Sequence, residues 1–357
     1  MRRSQPASSN RAVALWLFVC CALIFAMALL GAITRLTQSG LSITDWEPVE
    51  GALPPLNHAA WVKAFAAYQQ IPQFKILNSS MTLDAFKGIY FWEWLHRLWG
   101  RVIGLVFAFP LVYFLLTRRI SLRLGAKLFA IFLLGGLQGF IGWFMVESGL
   151  SVRTSVSAYR LALHFFDAAL LYALILWLAL DLIDPRRGRR LVIPIRVAWH
   201  GWAALALLSV TMIWGAFTAG LHAGEAYNSW PLMDGEFFPA AALTLLPKWI
   251  NVFENLAFVQ FIHRWLGPVT ALTILGWTMR LWRSEHTVQD HRWVAALAGM
   301  ALLQVALGLT TLLTHAEILV ATLHQAGAMA LLTLLLINLQ RLGMPVTAPA
   351  TGPASRK

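Results

Sequence analysis

The chain has 357 residues, of which 59% are hydrophobic and only 12% are charged, and its mean hydropathy is +0.65. Soluble domains carry about 25% charged residues, so this composition excludes a soluble fold, a disordered chain and a fibrous repeat, and it predicts a polytopic membrane protein. The cysteines, Cys20 and Cys21, are adjacent within an apolar run, so they cannot build a disulfide framework.

Mainly apolar segments of about 20 or more residues predict transmembrane helices. Eight such segments occur, at residues 12–34, 89–116, 126–146, 157–180, 197–219, 255–279, 293–314 and 317–340. The first is too long for a signal-peptide core and lacks a convincing small-residue cleavage site, so we expect it to be retained. The short stretch before it is not a long Ser- and Arg-rich presequence, which favours a bacterial protein over an imported mitochondrial one.

The distribution of basic residues predicts the orientation. The two chain ends and the 117–127, 181–196 and 280–292 connections hold 18 of the 28 Lys and Arg but only 4 of the 16 acids. The densest run is Arg-Arg-Gly-Arg-Arg at 186–190. The positive-inside rule then predicts that both termini are cytoplasmic. It also accounts for the net charge of +12, so we predict no nucleic-acid partner.

Two long connections, 36–88 and 220–254, are expected to face outward. The first contains the segment 61–68, whose apolar residues recur at helical spacing. This spacing predicts either an interfacial helix that lies on the membrane or a helix that packs within the loop.

An internal repeat divides the chain into two halves, 1–182 and 183–357. Residues 92–104 resemble 259–271, Leu137-Gln138 with Gly142 resembles Leu303-Gln304 with Gly308, and 162–164 resembles 322–324. An even number of helices in each half makes the repeats parallel, related by an axis along the membrane normal. The predicted fold is therefore an all-α membrane protein of eight transmembrane helices, built as two four-helix bundles.

Four of the ten histidines lie about eight residues inside the outer ends of the even-numbered helices: His96, His164, His263 and His324. This places all four roughly 12 Å below the membrane boundary, where ionisable side chains are costly and by default functional. A small residue follows each histidine by four positions on the same helix face: Gly100, Ala168, Gly267 and Ala328. Such residues allow either close helix contact or a flat macrocycle beside the imidazole.

These features favour b-type haem, with two histidines for each iron. The sequence contains no Cys–His cluster or HExxH spacing that would indicate zinc, and copper would more usually recruit Met or Cys. The alternative interpretation is a set of buried histidines that bond to each other or to backbone carbonyls.

The halves differ beside the first histidine of each pair. Glu93 precedes His96 by three residues, whereas Gln260 occupies the equivalent position before His263. A carboxylate beside iron could act as a general base on water or stabilise a developing cation, so we infer chemistry in the first half and a redox-only haem in the second. The alternative is that Glu93 pairs with Arg97 or Arg101.

Three arginines near the outer boundary require a counter-charge. The guanidinium groups of Arg97, Arg101 and Arg264 suit haem propionates, and pairing with local acids is the alternative. Asp167, next to the face of His164, is a second buried-acid candidate.

Several motifs resemble those of the heme A synthase family. They are residues 31–46, Pro48, 51–55, Met81-Thr-Leu, Phe86-Lys87, the Glu93…His96-Arg97…Gly100-Arg101 block and 227–233. The resemblance covers roughly residues 12–341 and is greatest to the proteobacterial and mitochondrial form. Some family members carry a cysteine pair in the first outer loop, and this chain has none there.

The resemblance implies that the C8 methyl of haem O is hydroxylated twice and dehydrates to the formyl group of haem A, destined for cytochrome oxidase. It implies that His263 and His324, to which we add Arg264, hold a haem b cofactor. It also implies that His96 and His164 face the substrate haem and that Glu93 is catalytic, and we hypothesise that water supplies the oxygen.

The expected setting follows from the same resemblance. We expect a multi-pass protein of the bacterial inner membrane with its haem sites toward the periplasm, supplied by haem O synthase (protohaem farnesyltransferase). The electron acceptor and a homo-oligomeric state are left open.

Two other functions remain open from the sequence. A di-haem b electron carrier linked to quinone would hold two stable, identical haems and would not need Glu93. A haem-handling assembly factor would bind haem reversibly at both sites and perform no chemistry on the macrocycle.

Overall fold

The computed structural model of the chain describes residues 7–46, 50–183, 193–283, 291–342 and 345–346. The basic run at 186–190, Pro48, most of the 280–292 connection and both chain ends lie outside the described residues. The described part is helical except for loops and two short strands, β1 (Ile193–Pro194) and β2 (Pro345–Val346), which pair in parallel.

The described residues form eleven α-helices. They are α1 (Ala7–Leu36), α2 (His58–Tyr68), α3 (Pro72–Leu77), α4 (Leu83–Leu116), α5 (Leu122–Leu150), α6 (Ala158–Ile183), α7 (Ile195–Gly220), α8 (Asn251–Glu254), α9 (Leu256–Trp282), α10 (His291–Leu313) and α11 (Ile318–Arg341). Short 3-10 helices at Glu50–Ala52, Ala223–Glu225, Ala240–Leu243 and Lys248–Ile250 lie in the two long connections.

Each predicted span corresponds to one long helix, and seven of these are long and apolar enough to cross a membrane: α1, α4, α5, α6, α7, α10 and α11. The remaining one, α9, has 27 residues but is less apolar because Gln260, His263 and Arg264 lie within its first half. Helix α4 carries comparable polar residues, but its 34 residues leave a longer apolar stretch beyond them. Seven candidate spans are therefore confirmed, and the eighth stays a prediction.

Helix α4 begins six residues before the predicted span. Its first turn is polar, since Lys87 pairs with Asp84 at 2.8 Å, and the hydroxyl of Thr82 accepts a hydrogen bond from the Ala85 amide at the N-terminus of the helix. These polar groups extend the helix above its apolar part, so hydropathy places the start of α4 too late.

The first long connection packs against the outer end of α4. Tyr68 of α2 and Phe86 of α4 are both fully buried, with ring centroids 5.2 Å apart, and Trp61 contacts Tyr90 at 5.0 Å. The Tyr68 hydroxyl donates a hydrogen bond to Gln73 of α3. Of the two expectations for this segment, the packing favours a helix that is part of a folded loop.

The long helices pack in the same order in the two parts of the chain. In the first part α1 contacts α4, α4 contacts α5, α5 contacts α6, and α6 contacts α1; the same cycle runs through α7, α9, α10 and α11 in the second part. Between the parts, α6 packs on α7, α11 packs on α1, and α6 packs on α11. Below, the seam means this interface of α1, α6, α7 and α11.

Buried residues fill the seam. Leu17 of α1, Ile175 of α6, Leu208 of α7 and Leu335 of α11 are each at most 3% exposed and belong to one apolar cluster. The Tyr172 and Thr333 hydroxyls join α6 to α11 at 2.7 Å.

Large apolar side chains are exposed on the outer faces of the helices. Examples are Leu105, Phe109, Phe129, Leu133, Leu272 and Leu302, each at least 50% exposed. A soluble protein rarely exposes such continuous apolar surface, whereas lipid solvates it. The exposed faces and the candidate spans identify a multi-pass membrane protein.

A close contact between α7 and α9 gives a test of this packing. A Cβ on Gly201 would lie 2.5 Å from the ring of Trp277 and 2.7 Å from Leu339. Trp277 is fully buried and its Nε1 donates to the Val197 carbonyl at 2.9 Å, so the ring cannot move aside. We expect Gly201→Ala to destabilise the protein by about 1–3 kcal/mol, measured as a lower Tm in detergent.

Gly299→Ala is the matched control, because nothing lies within 4 Å of a Cβ at that position of α10. It should leave the Tm unchanged or raise it slightly, since alanine has the higher helix propensity. Equal Tm values for the Gly201 variant and the wild-type protein would show that α7 and α9 do not pack as described.

Candidate functional site

The four predicted histidines each rest on a glycine of a neighbouring helix. His96 of α4 packs on Gly31 of α1, His164 of α6 on Gly142 of α5, His263 of α9 on Gly215 of α7, and His324 of α11 on Gly308 of α10. A Cβ on these glycines would lie 3.2, 2.9, 2.9 and 2.9 Å from the Cε1 atoms of the four rings. The missing side chain therefore makes room for each imidazole.

The second-half pair, His263 and His324, forms a site with the dimensions of a bis-histidine metal centre. Their ring centroids are 6.3 Å apart and their planes are inclined by 77°. A metal between two imidazole nitrogens, each bond being about 2 Å, places the centroids roughly 6 Å apart. The observed separation therefore fits one iron held by these two rings.

Both rings of this pair are oriented by groups on the adjacent helix. His263 Nδ1 lies 3.2 Å from the Thr211 carbonyl of α7, and His324 Nδ1 lies 3.2 Å from Gln304 Nε2 of α10. Gln304 also donates to the His324 carbonyl at 3.0 Å. The Thr211 carbonyl can accept from the Nδ1–H of His263, which is typical of metal-binding histidines and leaves Nε2 of that ring for the metal. Gln304 Nε2 is itself a donor, so it positions the His324 ring without accepting from its Nδ1.

The first-half pair, His96 and His164, is held less firmly. Gln138 of α5 donates to the His164 carbonyl at 2.9 Å, as Gln304 does in the second half. The Nδ1 atoms of both rings are buried without a hydrogen-bond partner in the described part of the chain. The Nε2 of His164 lies 3.5 Å from Gln138 Nε2, so the two first-half rings have fewer close polar contacts than the second-half rings.

The described residues contain no group of three or more His, Cys, Asp and Glu arranged around a metal ion. Histidines grouped in pairs are consistent with haem, whose iron needs only axial ligands from the protein. The small residues beside the histidines agree: nothing lies within 4 Å of a Cβ on Gly267, and only Met27 approaches one on Gly100.

Glu93 is buried and bonded on both oxygens. Its Oε2 accepts hydrogen bonds from the Ser42 hydroxyl at 2.7 Å and the Ile43 amide at 2.8 Å, and its Oε1 pairs with Arg97 at 2.6 Å. Arg97 also donates to the carbonyls of Ile43 and Asp45. The predicted alternative of an ion pair with Arg97 is therefore present, and together the two side chains hold the first outer loop.

Gln260 and Arg264 hold the second outer loop from the same positions of α9. Gln260 donates to the carbonyls of Ala223, at 2.8 Å, and Ala226. Arg264 donates to Tyr227, at 2.6 Å, and to Leu232, at 3.0 Å. The polarity is reversed relative to the first half, since a carboxylate accepts from its loop whereas an amide donates to it.

The loops match further, at a tryptophan under each arginine. The guanidinium of Arg97 lies 5.7 Å from the ring of Trp46, and that of Arg264 lies 5.8 Å from the ring of Trp230. Each tryptophan follows by three residues the carbonyl, of Ile43 or Tyr227, that its arginine binds. The two loops therefore cover the two histidine pairs in the same way.

The other predicted residues lie nearby. Arg101 is half-buried one turn further along α4 from Arg97. Asp167 is only 6% exposed and its Oδ2 has no hydrogen-bond partner among the described residues.

The sequence analysis did not predict that the four glycines under the histidine rings belong to the site. We call them the glycine seats: Gly31, Gly142, Gly215 and Gly308. Gly142 and Gly308 were visible as members of the repeat, but their contact with histidine depends on how neighbouring helices pack. Ser42 and Ile43, the partners of Glu93, were also missed, because a loop fold decides which backbone amide meets a carboxylate.

Comparison with known proteins agrees with the motifs. The sequence model of the COX15-CtaA family, described as cytochrome oxidase assembly protein, matches residues 14–336. A heme A synthase of Rhodospirillum centenum is 53% identical over 343 residues, which is 96% of this chain and 91% of that protein. Heme A synthases of Rhizobium etli (48% identical; 90% of this chain and 87% of that protein) and Nitrosomonas eutropha (44%; 90% and 91%) are also similar.

The matches extend over nearly the whole chain, including both outer loops and all four histidines. The resemblance that the motifs predicted is thereby confirmed. This chain belongs to the COX15-CtaA family of cytochrome oxidase assembly proteins.

Proposed function

We propose that the protein is an oxidoreductase that converts haem O to haem A. The observation that carries the proposal is the set of four histidines seated on glycines in two pairs, in a chain whose relatives are named heme A synthases. The paired arrangement fits two macrocycles, and the difference between Glu93 and Gln260 fits different roles for the two sites.

The proposed topology completes the fold. Helix α9 is the eighth span, because it packs between α7 and α10 and carries His263 at the place that His96 has on α4. The two sets of four helices are parallel repeats with both termini cytoplasmic. The protein then lies in the bacterial inner membrane with its histidine pairs toward the periplasm.

In the second half, His263 and His324 hold haem b, which supplies electron transfer when bound. Thr211 and Gln304 orient the two rings. Arg264 contributes by fixing the loop that covers this site.

In the first half, His96 and His164 bind the iron of haem O. Each hydroxylation of its C8 methyl takes one oxygen atom from water and releases two electrons and two protons, and the second product loses water to give the formyl group. The electrons pass to an acceptor in the membrane. Haem O synthase would supply the substrate.

Glu93 has a defined electrostatic part in this proposal. Its carboxylate is held by Ser42, Ile43 and Arg97, so it is preorganised to stabilise positive charge that develops in the substrate. Arg97 and Arg101 lie on the same face of α4 and contribute to substrate binding. Arg97 does so by holding the first outer loop in place, and Arg101 does so as a cation one helical turn further into the membrane.

Haem extraction tests the proposed function directly. Cells that make haem O should accumulate haem A only when they also contain this protein, as measured by chromatography and mass analysis. His96→Ala should abolish haem A but leave the absorption of the second-half haem, whereas His263→Ala should abolish both. Unchanged haem O with two identical b haems would instead indicate an electron carrier, and purified protein without a Soret band would indicate a haem-handling factor.

The glycine seats give a second test. An added methyl at Gly308 must displace His324, and disturbing a ligand in this way typically costs about 10–100-fold in metal affinity. We therefore expect Gly308→Ala to lose haem b, measured from the Soret absorbance per protein. Gly142→Ala should keep haem b and lower haem A formation.

Gly139→Ala serves as the control for both variants, because nothing lies within 4 Å of a Cβ there. It should retain both haem b and haem A. Normal haem b content in the Gly308 variant would rule out the proposed ligand pair.

Replacement of Glu93 tests the asymmetry between the halves. Glu93→Gln removes the charge and turns an amide toward Arg97, so we expect haem A formation to fall by roughly 100-fold, as for loss of one preorganised electrostatic group. The haem b spectrum should not change. Asp84→Asn, an exposed acid on the same helix, should leave both properties intact, and full activity of the Glu93 variant would exclude the catalytic role.

A further inference from the structure

Arg35 lies at the seam, at the loop end of α1. It follows Gly31, the seat of His96, by four residues and therefore lies one turn nearer the first outer loop on the same helix face. The equivalent position of α7 is Ala219, four residues after Gly215, the seat of His263. Arg35 Nη2 donates to the carbonyl of Ala219, so this side chain joins the outer ends of the two helices whose glycines lie under His96 and His263.

Among the described residues, the charge of Arg35 has no close counter-ion. No carboxylate lies within ion-pair distance of it in the described ranges, and its buried Nε has no hydrogen-bond partner there. Glu225 of the second outer loop attracts it electrostatically, but that carboxylate is bonded to His222 at 3.0 Å. An unbalanced guanidinium in this position is costly unless a ligand completes it.

The other arginines near the histidines are already engaged. Arg97 binds Glu93 and two loop carbonyls, and Arg264 binds loop carbonyls of the second half. The Nε of Arg264 is also buried without a partner among the described residues, but both of its Nη groups bind loop carbonyls. Arg35 donates only through Nη2 in the described part of the chain, so more of its guanidinium is left for a ligand. A guanidinium edge with parallel N–H groups is the geometry that recognises a carboxylate.

We propose that Arg35 binds a propionate carboxylate of a macrocycle held by the histidine pairs. This inference rests on the proposed haem sites and adds a ligand contact to them. Propionates are the only charged groups on such a macrocycle, and Arg35 lies between the sites on the side of the outer loops. A propionate there receives a charge-assisted hydrogen bond and balances the guanidinium charge.

A purely structural role makes a different prediction. Ala219 lies in the last turn of α7, where a cation stabilises the helix C-terminus. Under that interpretation, loss of Arg35 would lower stability and weaken every haem equally, with or without its carboxylates.

The test compares two probes on the full-length protein freed of haem in detergent: iron protoporphyrin IX and its dimethyl ester, which lacks the propionate charges. Charged hydrogen bonds contribute about 1.5–3 kcal/mol, so the wild-type protein should prefer the free acid by roughly ten- to hundredfold in Kd. Arg35→Gln should reduce this preference at least tenfold, measured by Soret titration. Arg35→Lys, which keeps the charge, should retain most of it and covers the case in which the glutamine variant does not fold.

Tyr172→Phe is the matched control, because it removes a neutral hydrogen bond across the seam, to Thr333, without changing charge. It should keep the full preference. Repeating the titrations in His96→Ala and His263→Ala backgrounds shows whether the propionate belongs to the second-half or the first-half macrocycle.

An unchanged preference in Arg35→Gln, with otherwise normal haem binding, would overturn the inference, and so would a wild-type protein that does not distinguish acid from ester. The proposed function fails separately: a chain that shows the preference but makes no haem A would retain the Arg35 contact and exclude the oxidation.

Discussion

The contact between an imidazole and a glycine on the next helix sets how closely the paired helices of this protein approach each other. It occurs four times, and at each one the glycine allows the helix backbone to approach the ring more closely than any side chain would permit. Small residues are the usual means by which membrane helices come together, because burial of apolar surface provides little driving force in lipid. Here the same feature has a second use, since it fixes the direction in which each imidazole points. Helix packing and the placement of the four imidazoles are therefore determined by the same residues.

The outer loops depend on the same two helices. In each half, the residue three positions before the first histidine and the residue directly after it bind loop backbone. They are Glu93 and Arg97 on α4, and Gln260 and Arg264 on α9. A loop at the end of a membrane helix has polar backbone groups that lipid cannot satisfy, and these side chains satisfy them. The exchange of a carboxylate for an amide changes the charge beside one site without changing the architecture. Under the proposed function, this difference lets two similar sets of helices carry out different chemistry.

Charge balance distinguishes the arginines. Arg97 and Arg264 were predicted to meet propionates, yet the Nη groups of both bind loop carbonyls, and Arg97 also pairs with Glu93. Arg35, which the sequence analysis included only within a motif, has an Nε at the seam without a hydrogen-bond partner among the described residues. In a low-dielectric region the position of an uncompensated cation is informative, because such a charge persists only where a ligand or an assembled partner neutralises it.

The sequence alone determined the class of the protein, the positions of the long helices to within a few residues, the four histidines and the family. These follow from hydropathy, from a repeated pattern and from motifs, all of which are local properties of the chain. The tertiary structure decided which atoms meet: that Gly31 lies under His96, that Glu93 accepts from Ser42 and Ile43, and that Arg35 reaches Ala219. These contacts join residues far apart in the chain, so they depend on helix rotation and loop conformation, which no local pattern specifies. The polar first half of α9 shows the same limit, since Gln260 and Arg264 are buried against the second outer loop and lower the mean hydropathy of a helix that packs with the other long ones.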